Sequence, residues 1–290
     1  MTDLDRLQEL FAKLKIDTGS PGFYDDPHFI QQEKADANFL ETYARFVELR
    51  PYETEYLQRV RCELPLIFET FRREVATAGA DGACIDASNV LSRMLDREGI
   101  WNYGVKGSVT IHFSKTSGIP PLYFWSYDIH PESRPVGAAH AWIVAPPFRV
   151  VDLTIKYQPY ERGRDMLPEG VLAENADLAA ADFKDMFSEE YLEQRGLPYM
   201  FILAAKMSSA DVIKALVPRL IEFQEFFHAS SIECPAVRLK YVPIAIGAPA
   251  EGLEGITNRR YNGRFGFEIY RDLIVSEIKR SRDGASSSLR

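Results

Sequence analysis

Ala139-His140-Ala141-Trp142-Ile143-Val144-Ala145-Pro146-Pro147-Phe148-Arg149-Val150-Val151-Asp152-Leu153-Thr154-Ile155 is the stretch on which the reading of this chain turns. Two short apolar runs, Ala139 to Ala145 and Arg149 to Ile155, flank Pro146-Pro147-Phe148, which reads as a β-hairpin. With a three-residue loop over Ala145 to Pro147, Val144 faces Phe148, Trp142 faces Val150 and His140 faces Asp152. That register sets imidazole and carboxylate opposite each other on one face, with Cβ atoms about 4.5–5.5 Å apart. A slip of one residue would send them to opposite faces.

Upstream, Trp101, Tyr103, Val105, Val109, Ile111 and Phe113 alternate along a long strand expected to be half-buried, with Gly107 the one gap in the series. Before it, the small-residue loop Thr77 to Ala83 leads into a helix with apolar positions Cys84, Ala87, Leu91, Met94 and Leu95. Asp81 is a natural N-cap and Gly99 a natural stop. This places Cys84 near the third helical position, where unpaired backbone N–H groups and the positive end of the helix dipole favour thiolate. Asp81 and Asp86 oppose that, so a cationic partner is required, and His140 is the candidate. Taken singly, an isolated cysteine is more often a small buried hydrophobe, a lone strand histidine a packed residue, and Asp152 a turn cap or ion-pair partner. Taken together they follow the logic of nucleophile, base and orienting acid.

The segments Gly82-Ala83-Cys84-Ile85-Asp86-Ala87-Ser88, Leu91, Leu95, Gly99-Ile100, Val105-Lys106-Gly107, His140-Ala141-Trp142 and Val151-Asp152-Leu153-Thr154 together resemble the transglutaminase-like superfamily over about Ala80 to Tyr157. The resemblance implies an α/β (α+β) protein with a papain-like core, a helix packed on a mostly antiparallel sheet, with N- and C-terminal helical additions. It also implies that Cys84 attacks an amide or other acyl carbonyl, His140 protonates the leaving amine and Asp152 orients His140. Water or an amine then resolves the thioacyl intermediate, and the Cys84 N–H is the first oxyanion donor. The expected substrate is a peptide, protein or amide, with Trp142, Trp125 and Tyr103 as substrate-binding aromatics and no cofactor or metal. The lead-in of arylamine N-acetyltransferases is absent, and Ile85 stands where papain-type proteases and animal transglutaminases carry an aromatic. A transglutaminase-like binding module without catalysis, docking a protein partner, is the alternative.

The division expected is a helical region over 1–79, the catalytic core over 80–157, a helical and mixed region over 158–282 packed on the core, and a disordered tail over 283–290. In the first, helices are expected over Leu4 to Leu14, Phe29 to Leu49, and along the stripe Tyr56, Val60, Leu64, Ile67, Phe71 and Val75, kinked at Pro65. In the third, helices are expected over Ala179 to Gln194, Ala210 to Phe227 and Phe267 to Lys279, and a strand over Val237 to Ile246. Ser114 to Gly137 reads as a loop interrupted by Leu122-Tyr123-Phe124-Trp125-Ser126-Tyr127, a strand or a substrate-facing wall.

At 290 residues and 46% apolar, the chain can bury a large core without disulfides. Its 34 Lys and Arg against 42 Asp and Glu give a net charge of −8, which argues against nucleic acid. The acidic start and the lack of a long apolar run predict neither a secretory signal nor a membrane span, hence a cytoplasmic protein. Cys62, Cys84 and Cys234 read as free thiols. His112, Asp128 and His130 lack metal-ligand spacing, and the cluster Arg259, Arg260, Tyr261, Asn262 and Arg264 reads as a surface loop that could grip an anion.

Overall fold

The computed structural model describes residues 1–79, 82–129 and 139–288. The N-terminal helices are α1 (Asp3–Leu14), α2 (Pro27–Ala35), α3 (Leu40–Leu49) and α4 (Thr54–Thr77), followed by α5 (Cys84–Arg97). The single helix expected over Phe29 to Leu49 is thus two. The break is local chemistry: the Asp36 carboxylate accepts from the Asn38 N–H at 2.9 Å, a turn that competes with continued helix. Helix α4 runs unbroken through Pro65 and buries Val60, Leu64, Ile67, Phe71 and Val75 completely.

The sheet strands are β1 (Tyr103–Phe113), β2 (Leu122–Phe124), β3 (His140–Ala145), β4 (Phe148–Asp152), β5 (Val171–Ala173) and β6 (Asp177–Ala179). Short helices α6 (Phe183–Met186), α7 (Glu189–Gln194), α8 (Tyr199–Ala204), α9 (Ser209–Leu216) and α10 (Arg219–Phe226) precede β7 (Ala229–Glu233) and β8 (Val237–Gly247). The chain closes with α11 (Gly266–Ile269), one π-helical turn, and α12 (Val275–Ser288). Where one helix was expected over Ala179 to Gln194 there are two, each started by its own cap, Asp182 and Ser188. The helix expected over Ala210 to Phe227 is broken at Val217-Pro218. The last helix runs through the stretch expected to be a tail, as far as Ser288.

The strands form one antiparallel sheet in the order β5-β4-β3-β1-β8-β7-β6, with β2 paired to β1. Its outermost strands, β5 and β6, are joined by residues 174–176 alone, a link that reaches at most about 14 Å. The sheet therefore curls into a half-barrel. On one face of β3, Trp142 and Val144 join Val105, Val150 and the N-terminal aromatics Phe11, Phe23 and Phe46 in a single cluster. On the other face, Ile143 and Ala145 pack against Leu91 and Met94 of α5 and Ile67 and Phe71 of α4. Strand β1 lies between layers and is buried on both sides along its middle, not half-buried as alternation alone suggests: Ser108 and Thr110 are fully covered and hydrogen-bonded to Ser126 and Asp185.

The gap at Gly107 has a steric cause. A Cβ there would lie 2.2 Å from the Val242 carbonyl oxygen and 2.7 Å from the Trp142 ring. Gly107→Ala should destabilise the protein by about 3 kcal/mol through overpacking, whereas Gly252→Ala, where a Cβ meets nothing within 4 Å, should be near neutral; urea unfolding of the two variants side by side checks this, and equal midpoints would refute it.

Candidate active site

Cys84 is the first residue of α5, two positions earlier in the helix than expected, because the helix begins only after Ala83. Asp81, the expected cap, lies outside the described residues. Ala83 supplies no capping side chain, so the first amides of α5 are left for another acceptor. Gly82 adopts a left-handed φ of 71°, and its N–H donates to the Tyr157 carbonyl at 2.9 Å. That bond ties the loop before the thiol to the segment just after β4.

His140 opens β3 and pairs with Gly107 across the sheet. Its ring stacks on Trp142, with centroids 6.3 Å apart and planes inclined by 24°. Nε2 meets Asp152 Oδ2 at 2.7 Å. The hairpin reaches this contact by a different register from the one expected. The turn is two residues, Pro146-Pro147, so that Ala145 pairs with Phe148, and a bulge then shifts the pairing to Ile143 with Val151. Continued, that register puts Thr154 opposite His140, and Asp152 lies diagonally from the ring. The shorter turn and the bulge each shift pairing by one residue, and two such shifts restore the original face.

Asp152 accepts more than the histidine. Tyr241, fully buried on β8, donates its hydroxyl to the same Oδ2 at 2.9 Å. The Thr154 N–H donates to Oδ1 at 2.8 Å and its hydroxyl at 3.3 Å. Tyr241 was not singled out in the sequence, since its only local signal is a place in an alternating strand. Thr154 carried a signal, a Thr two residues after an Asp, which is an Asx-turn pattern.

The second ring nitrogen, Nδ1, is buried and has no hydrogen-bond partner. Burial works against an imidazolium, but the Asp152 carboxylate outweighs it by charge and hydrogen bond, and the Cys84 thiol adds to it, so the ring pKa is pushed up to about 10. The thiol is thus near enough to the ring to bear on its titration, while Nδ1 has no closed hydrogen bond, a looseness common in sites without substrate. Asp86, whose charge opposes a thiolate, is partly offset by Arg259 at 3.6 Å. This draws one arginine of the 259–264 cluster to the first turn of α5; Arg264 pairs instead with Glu74 and Arg260 lies over the Phe265 ring.

The three expected aromatics separate. Tyr103 and Trp142 both line a cavity of about 510 Å³ in the trough of the half-barrel. Trp125 does not: its indole N–H donates to the Lys184 carbonyl at 2.8 Å and its ring stacks on Tyr123. Cys62 is exposed and Cys234 half-buried, and burial raises the Cys234 thiol pKa. Among the described residues no group of three or more His, Cys, Asp or Glu could hold a metal ion, and His130 lies outside them. No helix among the described residues is long and apolar enough to cross a membrane.

Comparison with known proteins finds no matching family model and no significant match among curated proteins or solved structures.

The raised pKa of His140 fixes the sign of a pH effect. A group whose folded-state pKa is raised stabilises fully below its unfolded value, here near 6.5, and loses that contribution as pH climbs through about 10. His140→Ala leaves a buried carboxylate short of its cation and should cost about 3–5 kcal/mol at pH 6. The deficit relative to the unaltered protein should shrink steadily toward pH 10 in urea midpoints; a deficit independent of pH would contradict the ion pair.

Proposed function

We propose that this chain is a transglutaminase-like cysteine enzyme with a papain-like Cys84–His140–Asp152 triad, acting on the acyl carbonyl of a peptide, protein or other amide. The observation that carries this reading is a histidine clamped through Nε2 by a buried, multiply bonded carboxylate while Nδ1 stays buried and unpartnered, with a helix-initial cysteine close enough to act on the ring. A purely structural histidine in so dry a place would be expected to satisfy both nitrogens.

The chemistry follows from the positions. Cys84 and His140 react as thiolate and imidazolium, the ring holding its second proton on Nδ1, and the sulfur bonds to the acyl carbon as the carbonyl π-pair moves to oxygen. The Cys84 N–H, first in an uncapped helix, is the first donor to that oxyanion. As the C–N bond breaks, the imidazolium returns its proton to the leaving amine. Water then adds to the thioester, His140 taking its proton, and the C–S bond breaks to release the acid and leave the thiolate beside the imidazolium, as at the start. An amine in place of water gives transfer, and hydrolysis is the default because water is always present. Asp152 keeps the ring in one orientation throughout, and Tyr241 and Thr154 keep Asp152 in place.

One observation favours the second reading, a binding module without catalysis: Cys84 is only 6% exposed. The two part on thiol reactivity. In the enzyme, Cys84 should be alkylated by iodoacetamide at pH 6 about tenfold or more faster than exposed Cys62, measured by peptide mass spectrometry, and His140→Ala should abolish the advantage. A Cys84 as sluggish as Cys234 in the unaltered protein would favour the binding module and overturn the triad.

A further inference from the structure

The 510 Å³ cavity lies apart from Cys84. It occupies the trough formed as the sheet curls, and its lining comes from strands far apart in the sheet order, β3 and β4 on one side and β6 and β7 on the other. Its size falls within the roughly 300–1,000 Å³ of small-molecule sites, and the mouth of a barrel is a usual place for one. Val105, Val144 and the Trp142 ring form an apolar interior, and Phe227 stacks edge-on to Tyr103 at 5.9 Å to complete it.

The polar groups decide what kind of molecule suits the space. Glu48 is engaged at both oxygens, Oε1 accepting from the Tyr103 hydroxyl at 2.7 Å and Oε2 from Arg149 Nη1 at 2.6 Å. Its side chain is only 16% exposed, so an incoming ammonium would meet little of it. Arg149 is in the opposite state. A guanidinium carries five N–H donors, and the bond to Glu48 uses one. Its side chain is 55% exposed, so the remaining donors stand at the boundary of cavity and solvent. Exposed His228 adds a further nitrogen to the same lining. The apolar interior therefore sits beside an exposed guanidinium with spare donors, while the carboxylate paired with it is largely covered.

We propose that this trough binds a small amphiphilic carboxylate, its aliphatic or aromatic tail among Val105, Trp142, Val144 and Phe227 and its acid group on Arg149. The proposal does not depend on thiol chemistry, because none of these groups is a member of the triad. The readout is accordingly binding rather than turnover.

Isothermal titration calorimetry of the full chain with decanoate, indole-3-acetate, decan-1-ol and decyltrimethylammonium, all below micellar concentrations, tests it. Saturable 1:1 binding is expected for at least one acid, and which of the two binds more tightly assigns an aliphatic or an aromatic tail. That acid should bind at least about tenfold more tightly than the alcohol or the ammonium, the scale of one charge-assisted hydrogen bond. Arg149→Gln should remove the preference for acid while leaving alcohol binding unchanged. Ala176→Trp, placed on the link that borders the cavity rather than in the sheet, should weaken every ligand while the melting temperature holds. Equal affinity for all head groups, preference for the ammonium, or no saturable binding of either acid would overturn the proposal and leave the triad untouched.

Discussion

The carboxylate of Asp152 is buried where three strands meet, and its two oxygens take donors from His140 on β3, Tyr241 on β8 and Thr154 just beyond β4. An unpaired carboxylate in such a place would cost several kcal/mol, so these donors are conditions of folding as much as features of a site. Each comes from a different part of the chain. They converge only if β3 lies between β4 and β1, and β8 lies on the far side of β1, close enough for the tyrosine to reach across. Gly107 permits that closeness, since β8's Val242 carbonyl and the Trp142 ring both occupy the space a side chain would need. The register of the central sheet and the geometry of the candidate triad thus share one determinant.

The pairing of His140 with Asp152 was legible in the sequence for a reason that survives an error in register. Side chains on a strand alternate with period two, so what decides whether two of them can touch is parity, and an even total shift preserves it. The expected three-residue turn is a two-residue one, and the bulge in β4 adds the compensating step. The α5 stripe and the β1 alternation were legible on the same footing, as local periodicities. Tyr241 was not, because its role depends on the β1–β8 pairing, which joins segments more than a hundred residues apart. The break between α2 and α3 was hidden for the opposite reason: it is set by a single side-chain bond of Asp36 inside a stretch whose hydrophobic period continues. The position of Cys84 within its helix turned on which residue begins the helix, the least certain feature of any periodic pattern.

The electrostatics around Cys84 are a balance of opposing terms. The uncapped start of α5 and the His140 ring favour negative charge on sulfur, while Asp86 in the same first turn disfavours it. Arg259, from a loop well removed in sequence, stands against Asp86 at 3.6 Å, with both groups about a third exposed. Solvent screens that pair, so it trims the field of Asp86 instead of cancelling it. The buried His140–Asp152 pair is screened far less, and of the charges near the sulfur it is the one that the protein holds most firmly in place.

Strand β3 carries these roles on its two faces. Ile143 and Ala145 fasten it to α5, the helix that begins with Cys84, while Trp142 and Val144 look into the trough. The Trp142 ring is shared: one side stacks on His140, another borders the cavity, and Tyr241 meets it edge-on at 5.1 Å. A side chain packed on three sides cannot move for one neighbour without disturbing the others, because protein interiors are packed as tightly as organic crystals. The indole therefore fixes the plane of the His140 ring by packing while Asp152 fixes its rotation by hydrogen bonding. Two constraints of different physical kind leave Nδ1 a single direction in which to point.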